Sequence, residues 1–353
     1  MKKKILLAAV LQLFMVLGSC SSDSNSGDTV EDKEKLQEGE IKADFISPYS
    51  VSDFVINTDN TVSFIGQSPN DKDYPIKFQK IDKDGNLTLL KGISSYNFLS
   101  TRLAVTPTGD FLLISYNHET DTDKIFRFEN NYTELNPFYT MKPISSPFAS
   151  KIRLTAITEN NDNTYFVFDY GNRQIKRFVA ELSTDVFVAG SGKNAIVDGA
   201  GLDAGFGSLS KIISQNNVLY LIDNLNEGAA STFVSSNIRK LEYVNNQWKV
   251  STLLSTTVNE DRFRDIVFDS KNDLLILKGK GIYKLNLSDN TLSLFKDGEI
   301  KVASFGKNSS YRLTVDFNYL ESFKIKNDDL YLATSSNLIK ISDFQSKFAA
   351  VKK

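Results

Sequence analysis

The chain has very few residues of the kinds that build covalent cross-links or metal centres. Its 353 residues include one cysteine, Cys20, and one histidine, His118. A single cysteine excludes an intramolecular disulfide, so a hydrophobic core must stabilise the fold. A single histidine excludes zinc sites built on two or three histidines, and any histidine-based catalytic triad not centred on His118.

The sequence also lacks an excess of positive charge. It has 41 basic and 43 acidic residues, and no basic stripe stands out. Proteins that bind nucleic acids carry such a stripe or patch, because they neutralise phosphate groups. Nucleic acid is therefore not an expected partner.

No apolar run in the sequence is long enough to cross a bilayer comfortably. The N-terminus nevertheless contains a short apolar run. Lys2-Lys3-Lys4 precedes apolar residues 5–17, and Leu17-Gly18-Ser19-Cys20 follows directly. A cationic start, a short apolar core and small residues before a cysteine are typical of a bacterial lipoprotein signal. We therefore expect residues 1–19 to be removed, Cys20 to receive the lipid, and the anchor to hold the protein at the outer membrane. Exposure on the cell surface stays open.

Beyond this signal, the composition changes twice. Residues 20–40 are rich in Ser, Asp, Glu and Lys with few large apolar side chains, which predicts a flexible tether. Residues 41–353 alternate short apolar stretches with Asn, Asp, Gly and Ser clusters, and no stretch keeps a helical period. The sequence therefore predicts one all-β domain.

A hairpin pattern repeats six times in this domain. The turns centre on Asn60, Gly109, Asn163, Asn217, Asn272 and Asn327, at intervals of 49, 54, 54, 55 and 55 residues. Such even spacing predicts a six-bladed β-propeller with four antiparallel strands in each blade. Residues 41–46 could close the ring as a strand of the last blade, or residues 347–351 could complete that blade.

One stretch, residues 169–241, resembles the NHL family of propeller repeats. The resemblance lies in Tyr220-Leu221-Ile222-Asp223, Asn237-Ile238-Arg239-Lys240 and the glycine-rich segment 190–206. It departs from the family where residues 227–236 are inserted as an apparent loop. NHL proteins include enzymes and binding modules, so the resemblance implies a fold and not a reaction. The signal and tether resemble those of Bacteroidetes surface lipoproteins, a resemblance that implies polysaccharide capture.

Long loops are expected on one face of the propeller only, and such loops commonly carry binding sites. They comprise residues 66–75, 91–100, 115–124, 139–150, 190–209, 223–237 and 297–318. Aromatic rings for stacking and charged groups for hydrogen bonds suit hydroxyl-rich ligands such as sugars. The face would present Tyr96, Phe98, Tyr116, His118, Tyr139, Tyr170, Arg173, Asp198, Asp203, Phe206 and Tyr311.

A second set of charged residues precedes the six hairpin turns, where the innermost strands begin. It comprises Asp53, Arg102, Arg153, Lys211, Arg264, Asp265 and Glu321. These residues could receive an anionic ligand, act as acids and bases, or form a salt-bridge belt that seals the channel.

Three functions remain open from sequence. The first is a non-catalytic lipoprotein that captures a glycan or other polymer, with candidate contacts at Tyr116, His118, Tyr170, Arg173, Asp198, Phe206, Arg102, Arg153 and Arg264. The second is a scaffold that binds another outer-membrane protein. The third is a metal-assisted hydrolase or lyase. No cofactor is required by the first two, and calcium is the one that the third leaves open.

Overall fold

The computed structural model describes residues 35–47, 51–57, 59–67, 76–82, 86–93, 102–105, 111–117, 122–128, 135–139, 153–160, 164–179, 185–228, 230–305 and 310–351. From Leu36 onward these residues belong to one compact unit. Cys20, the predicted signal and most of the predicted tether lie outside the described residues. In the described part, no helix is both long and apolar enough to cross a membrane.

The prediction of an all-β domain is confirmed, and most strands form four-stranded antiparallel sheets. We number six sheets in chain order, five of them four-stranded and one with an added fifth strand. Sheet 1 consists of Val51–Ile56, Val62–Gln67, Ile76–Ile81 and Leu87–Ile93. Sheet 2 consists of Arg102–Val105, Phe111–Asn117, Thr122–Phe128 and Leu135–Tyr139. Sheet 3 consists of Leu154–Glu159, Thr164–Asp169, Gln174–Val179 and Asp185–Ala189.

The next two sheets continue this pattern. Sheet 4 consists of Ser208–Gln215, Val218–Glu227, Thr232–Val244 and Gln247–Thr256, with Gly199–Ala200 added at its outer edge. Sheet 5 consists of Phe263–Phe268, Leu274–Lys278, Gly281–Leu285 and Leu292–Asp297. The segment expected as an inserted loop within residues 223–237 is instead an extension of the sheet 4 hairpin, paired as far as Glu227 and Thr232.

Sheet 6 joins the two ends of the domain. Its inner strands are Leu320–Lys326, Asp329–Thr334 and Leu338–Ile341. The fourth strand is Asp44–Ser47, which pairs antiparallel with Leu338–Ile341. Of the two expected ways of closing the domain, the N-terminal strand is the one observed. Residues 347–351 belong instead to the α-helix Phe344–Val351.

A seventh, three-stranded sheet was not expected from the sequence. Glu40–Lys42 pairs parallel with Glu299–Phe305, which forms a hairpin with Ser310–Asp316. The predicted loop 297–318 is therefore mostly strand. Three short 3-10 helices complete the regular structure of the described residues: Gly201–Asp203, Asn259–Asp261 and Phe317–Tyr319.

The first strands of the six sheets contact one another in a closed order. Each contacts the first strand of the next sheet, and Leu320–Lys326 of sheet 6 contacts Val51–Ile56 of sheet 1. Hydrophobic clusters fill the seams between consecutive sheets: Phe168 and Leu209 share one between sheets 3 and 4, and Phe64 and Tyr331 share one between sheets 1 and 6. Each such buried side chain stabilises the fold by about 1.5–3 kcal/mol.

The hairpin turns between the first two strands have the backbone that the repeated asparagines predicted. Asn60, Asn217, Asn272 and Asn327 all have positive φ, between 53° and 64°. Asparagine adopts this left-handed conformation more readily than other non-glycine residues. Gly109 and Asn163 lie outside the described residues.

Candidate functional site

The turn between the second and third strands of sheet 3 presents an aromatic ring at the end of the sheet opposite the short turns. It spans Tyr170 to Arg173, directly after Asp169. The carboxylate of Asp169 is fully buried and accepts hydrogen bonds from the Asn172 side chain (2.7 Å) and from the Arg153 backbone N–H (3.1 Å). The backbone N–H of Tyr170 donates to the carbonyl of Arg153. These bonds fix the turn beside the start of the innermost strand.

Tyr170 and Arg173 form a stacked pair on this turn. The guanidinium carbon of Arg173 lies 4.7 Å from the centre of the Tyr170 ring, and Tyr170 is 39% exposed. Arg173 has a positive φ of 50°, and its guanidinium donates to the carbonyl of Gly207. The neighbouring Gly190 has a φ of +129°, and a Cβ there would lie 2.2 Å from the Arg173 carbonyl oxygen. The exposed ring is thus held in place by its surroundings.

The residues that resemble the NHL motif form a buried ion pair. Asp223 lies in the middle of the second strand of sheet 4, and Arg239 in the third strand donates to its carboxylate at 2.8 Å. Both side chains are fully buried. Burial raises the pKa of Asp223 to about 6, and the charge and hydrogen bond of Arg239 oppose this rise. In sheet 3, Lys176 lies 3.8 Å from Asp169 in the corresponding arrangement.

Arg239 also holds the loop between sheets 3 and 4. It donates to the carbonyls of Val197 and Gly205 and to the Asp198 carboxylate at 3.1 Å. Partial burial disfavours the ionised form of Asp198, but hydrogen bonds from Thr252 and Arg239 outweigh it and lower the pKa. Asp198 was predicted as a ligand contact, and in the structure its carboxylate binds Arg239 and Thr252.

Two aromatic residues expected on the loop face are buried instead. Phe206 has no exposed surface and packs beneath the Arg239 guanidinium, 5.0 Å from the ring centre. Tyr139 is also buried and donates a hydrogen bond to Asp185 in sheet 3. The expectation that these two rings face solvent is wrong. Both residues lie in segments expected to be loops, but their rings pack in the hydrophobic seams between sheets. Tyr311 and Asp203 are exposed, as expected.

A β-bulge recurs near the start of the first strands. It separates the charged residues predicted there into those at bulge positions and those that follow a bulge. The register shifts at residues 52, 155, 210, 264 and 321, in sheets 1, 3, 4, 5 and 6. A bulge redirects the side chain of the extra residue. Arg264 and Glu321 occupy bulge positions, whereas Asp53, Lys211 and Asp265 come one residue after a bulge.

The residues that follow the bulges connect neighbouring sheets. Lys211 lies 2.8 Å from Asp265, and Lys324 lies 3.6 Å from Asp53. The second carboxylate oxygen of Asp265 accepts from Ser322 and from the Phe323 N–H, and that of Asp53 accepts from the Leu103 N–H. These contacts correspond to the salt-bridge belt among the predicted alternatives.

Arg264 turns away from this belt. Its guanidinium donates to the carbonyls of Phe317, Asn318, Leu320 and Gly279. Burial lowers its pKa, and the nearby charge of Arg262 adds to this effect. Glu321 is exposed and Arg153 is half-buried. His118 and the side chains of Arg102 and Tyr116 lie outside the described residues, as do Tyr96 and Phe98.

The first strands of all six sheets line a central cavity of about 440 Å³. This volume is within the range typical of small-molecule sites. The lining is largely aliphatic, and its charged members are Asp53, Glu159, Lys211, Lys324 and Lys326. The pKa of Lys324 is lowered, mainly because the ammonium is buried. The charge of Lys211 adds to this lowering, and the Asp53 carboxylate opposes it without reversing it.

The sequence prediction missed three charged lining residues, Glu159, Lys324 and Lys326, and Glu159 is the acid among them. Its Oε1 atom is buried and has no hydrogen-bond partner among the described residues. Burial raises its pKa to about 7. The signal was present in the repeats: four residues before the turn asparagine, sheets 1, 4 and 5 have Ile56, Ile213 and Phe268, whereas sheet 3 has an acid.

The described residues contain no group of three or more His, Cys, Asp or Glu side chains placed to hold a metal ion. Of the predicted acids, Asp53 and Asp265 pair with lysines in the belt, and Glu321 is exposed.

Comparison with solved structures assigns the fold. A Bacteroides thetaiotaomicron protein of unknown function is similar with a TM-score of 0.54 and 16% identity, over 84% of this chain and 74% of that one. Virginiamycin B lyase from Staphylococcus aureus, solved with quinupristin, has a TM-score of 0.52 at 11% identity, over 85% and 97%. A gluconolactonase-like protein has a TM-score of 0.51 at 11% identity, over 85% and 91%. No protein-family profile matches the chain, and no curated protein matches it. These likenesses identify a β-propeller-like fold and no activity.

Proposed function

We propose that this protein is a lipid-anchored, extracytoplasmic, six-bladed β-propeller that captures a glycan or a similar polymer on its long-loop face. Sheets 1–6 are the blades, and the three-stranded sheet is an addition to them. The closed order of contacts among the six first strands supports this count. The N-terminal sequence that ends at Cys20 supports the lipid anchor and an outer-membrane location.

The observation that carries the binding proposal is the Tyr170–Arg173 pair. An exposed aromatic ring offers a flat apolar surface for a sugar ring, and an adjacent guanidinium donates to hydroxyl or carboxylate oxygens. Because Asp169, Gly190 and the Gly207 carbonyl fix this turn, the pair loses little conformational entropy when a ligand binds. Such preorganisation is typical of a binding site rather than of a surface turn.

Two experiments test these elements separately. Purified protein applied to an array of polysaccharides should bind at least one class, and binding to none would reject capture. Metabolic labelling with a palmitate analogue should mark the wild type and leave Cys20→Ser unlabelled. Equal labelling of both would reject the anchor at Cys20.

A protein partner is the second candidate, and the three-stranded sheet favours it. Tyr311 on this sheet is 50% exposed. Tyr319, in the 3-10 helix that follows the sheet, is 67% exposed. Exposed tyrosines are enriched in protein–protein interfaces. A photo-cross-linker at Tyr319 should then capture one defined membrane protein, while a cross-linker at Tyr243 of sheet 4, which is 57% exposed, captures none. Capture at neither position would reject this candidate.

A further inference from the structure

The central cavity contains one acidic side chain whose hydrogen bonding is incomplete among the described residues. The Oε1 atom of Glu159 is buried without a partner there, and Glu159 lines the cavity. A buried carboxylate oxygen without a donor costs free energy, and the cost is larger when the group is charged. A bound donor would remove that cost.

A basic group lies on the other side of the ring of strands. Lys326 ends the first strand of sheet 6, and Glu159 ends the first strand of sheet 3. In the closed order of six first strands, sheets 3 and 6 stand three places apart in either direction, so the two residues lie across the cavity from each other. The Lys326 ammonium donates to the Asn57 carbonyl, and within the described part of the chain its other two donors have no partner.

The other charged groups facing the cavity already pair with each other. Lys211 lies 2.8 Å from Asp265, and Lys324 lies 3.6 Å from Asp53. In each pair the lysine and the aspartate neutralise each other's charge. Between Glu159 and Lys326 the lining is aliphatic: Ile56, Ile157, Ile213, Val267 and Ile325.

We propose that the central cavity binds a small zwitterion, with an ammonium group donating to Glu159, a carboxylate accepting from Lys326, and an apolar body against the isoleucines. Amino acids and ω-amino acids have this chemistry. This site is distinct from the polymer site on the loop face, and either can be rejected without the other.

The test is calorimetric titration of the purified full-length protein at pH 7.5. The probes are the standard amino acids and the ω-amino acids from 4-aminobutanoate to 8-aminooctanoate. At least one zwitterion should bind saturably. The two matched compounds that lack its carboxylate or its amine should bind at least tenfold more weakly.

Variants identify the two contacts. Glu159→Gln and Lys326→Met should each weaken binding at least tenfold. Glu299→Gln and Lys301→Met, at exposed positions of the three-stranded sheet, should leave it unchanged. Thermal melts of all four variants establish that each is folded. Binding of no zwitterion, or equal affinity in Glu159→Gln and the wild type, would overturn the proposal.

Discussion

The guanidinium of Arg239 lies 2.8 Å from the carboxylate of Asp223, and both side chains are fully buried. The same guanidinium binds two carbonyls and a second carboxylate from the loop between sheets 3 and 4. One arginine thus joins the second and third strands of sheet 4 to the loop that precedes that sheet. The NHL-like motif of this chain has a structural role.

Removal of either member of this pair should be strongly destabilising. Arg239→Met leaves the buried Asp223 carboxylate without its partner, and such losses cost about 3–5 kcal/mol. The double variant Arg239→Met/Asp223→Leu should recover part of that loss, because no buried charge remains. Lys340→Met serves as the control, since it breaks a partly exposed pair with Asp329 and should cost about 1 kcal/mol or less. Urea denaturation of the four proteins measures these differences.

The N-terminal strand should be essential to the fold, because Asp44–Ser47 supplies the outer strand of sheet 6. Removal of residues 21–47 leaves Leu338–Ile341 unpaired on one edge. We expect this protein to lose its cooperative transition, or to melt about 10 °C lower or more. Removal of residues 21–34 ends before the compact unit and should leave the melting temperature unchanged. Equal melting of both deletion variants would contradict closure by this strand.

Glu159 should make stability depend on pH. Its pKa is raised by burial to about 7 from a usual value of 4.5, so the folded protein holds this proton more tightly than the unfolded chain. The resulting stabilisation is fully present below about pH 4.5 and is lost as the pH rises through 7. Glu159→Gln should therefore raise the melting temperature at pH 8 relative to the wild type, and much less at pH 5. Glu299→Gln at an exposed position should show no such dependence.

Local features were predictable from the sequence, and closure was not. The asparagines at positions 60, 217, 272 and 327 indicate turns because their backbone preference is local. The partner of Leu338–Ile341 depends on two segments almost 300 residues apart, and either terminus contains residues able to form a strand. The helix Phe344–Val351 forms because Phe344 and Phe348 bury their rings beside Phe295 and Phe317, a tertiary effect.

The candidate site was predictable in part for the same reason. Tyr170 follows a strand and precedes Gly171, so its exposure on a turn could be expected. Phe206 also precedes a glycine, but it is buried in the seam between sheets 3 and 4, with Arg239 from another strand over its ring. Glu159 is recognisable only when the repeats are aligned and its acid is compared with Ile56 and Phe268.

The most direct test of the central claim compares Tyr170→Ala with Tyr170→Phe in binding to a polysaccharide that the wild type retains. The alanine variant should bind about five- to tenfold more weakly, roughly 1–1.4 kcal/mol, whereas the phenylalanine variant, which keeps the ring, should bind like the wild type. Tyr243→Ala, at an exposed ring of sheet 4, should bind the polysaccharide like the wild type. All variants should have the melting temperature of the wild type. Undiminished binding by a folded Tyr170→Ala protein would contradict the account.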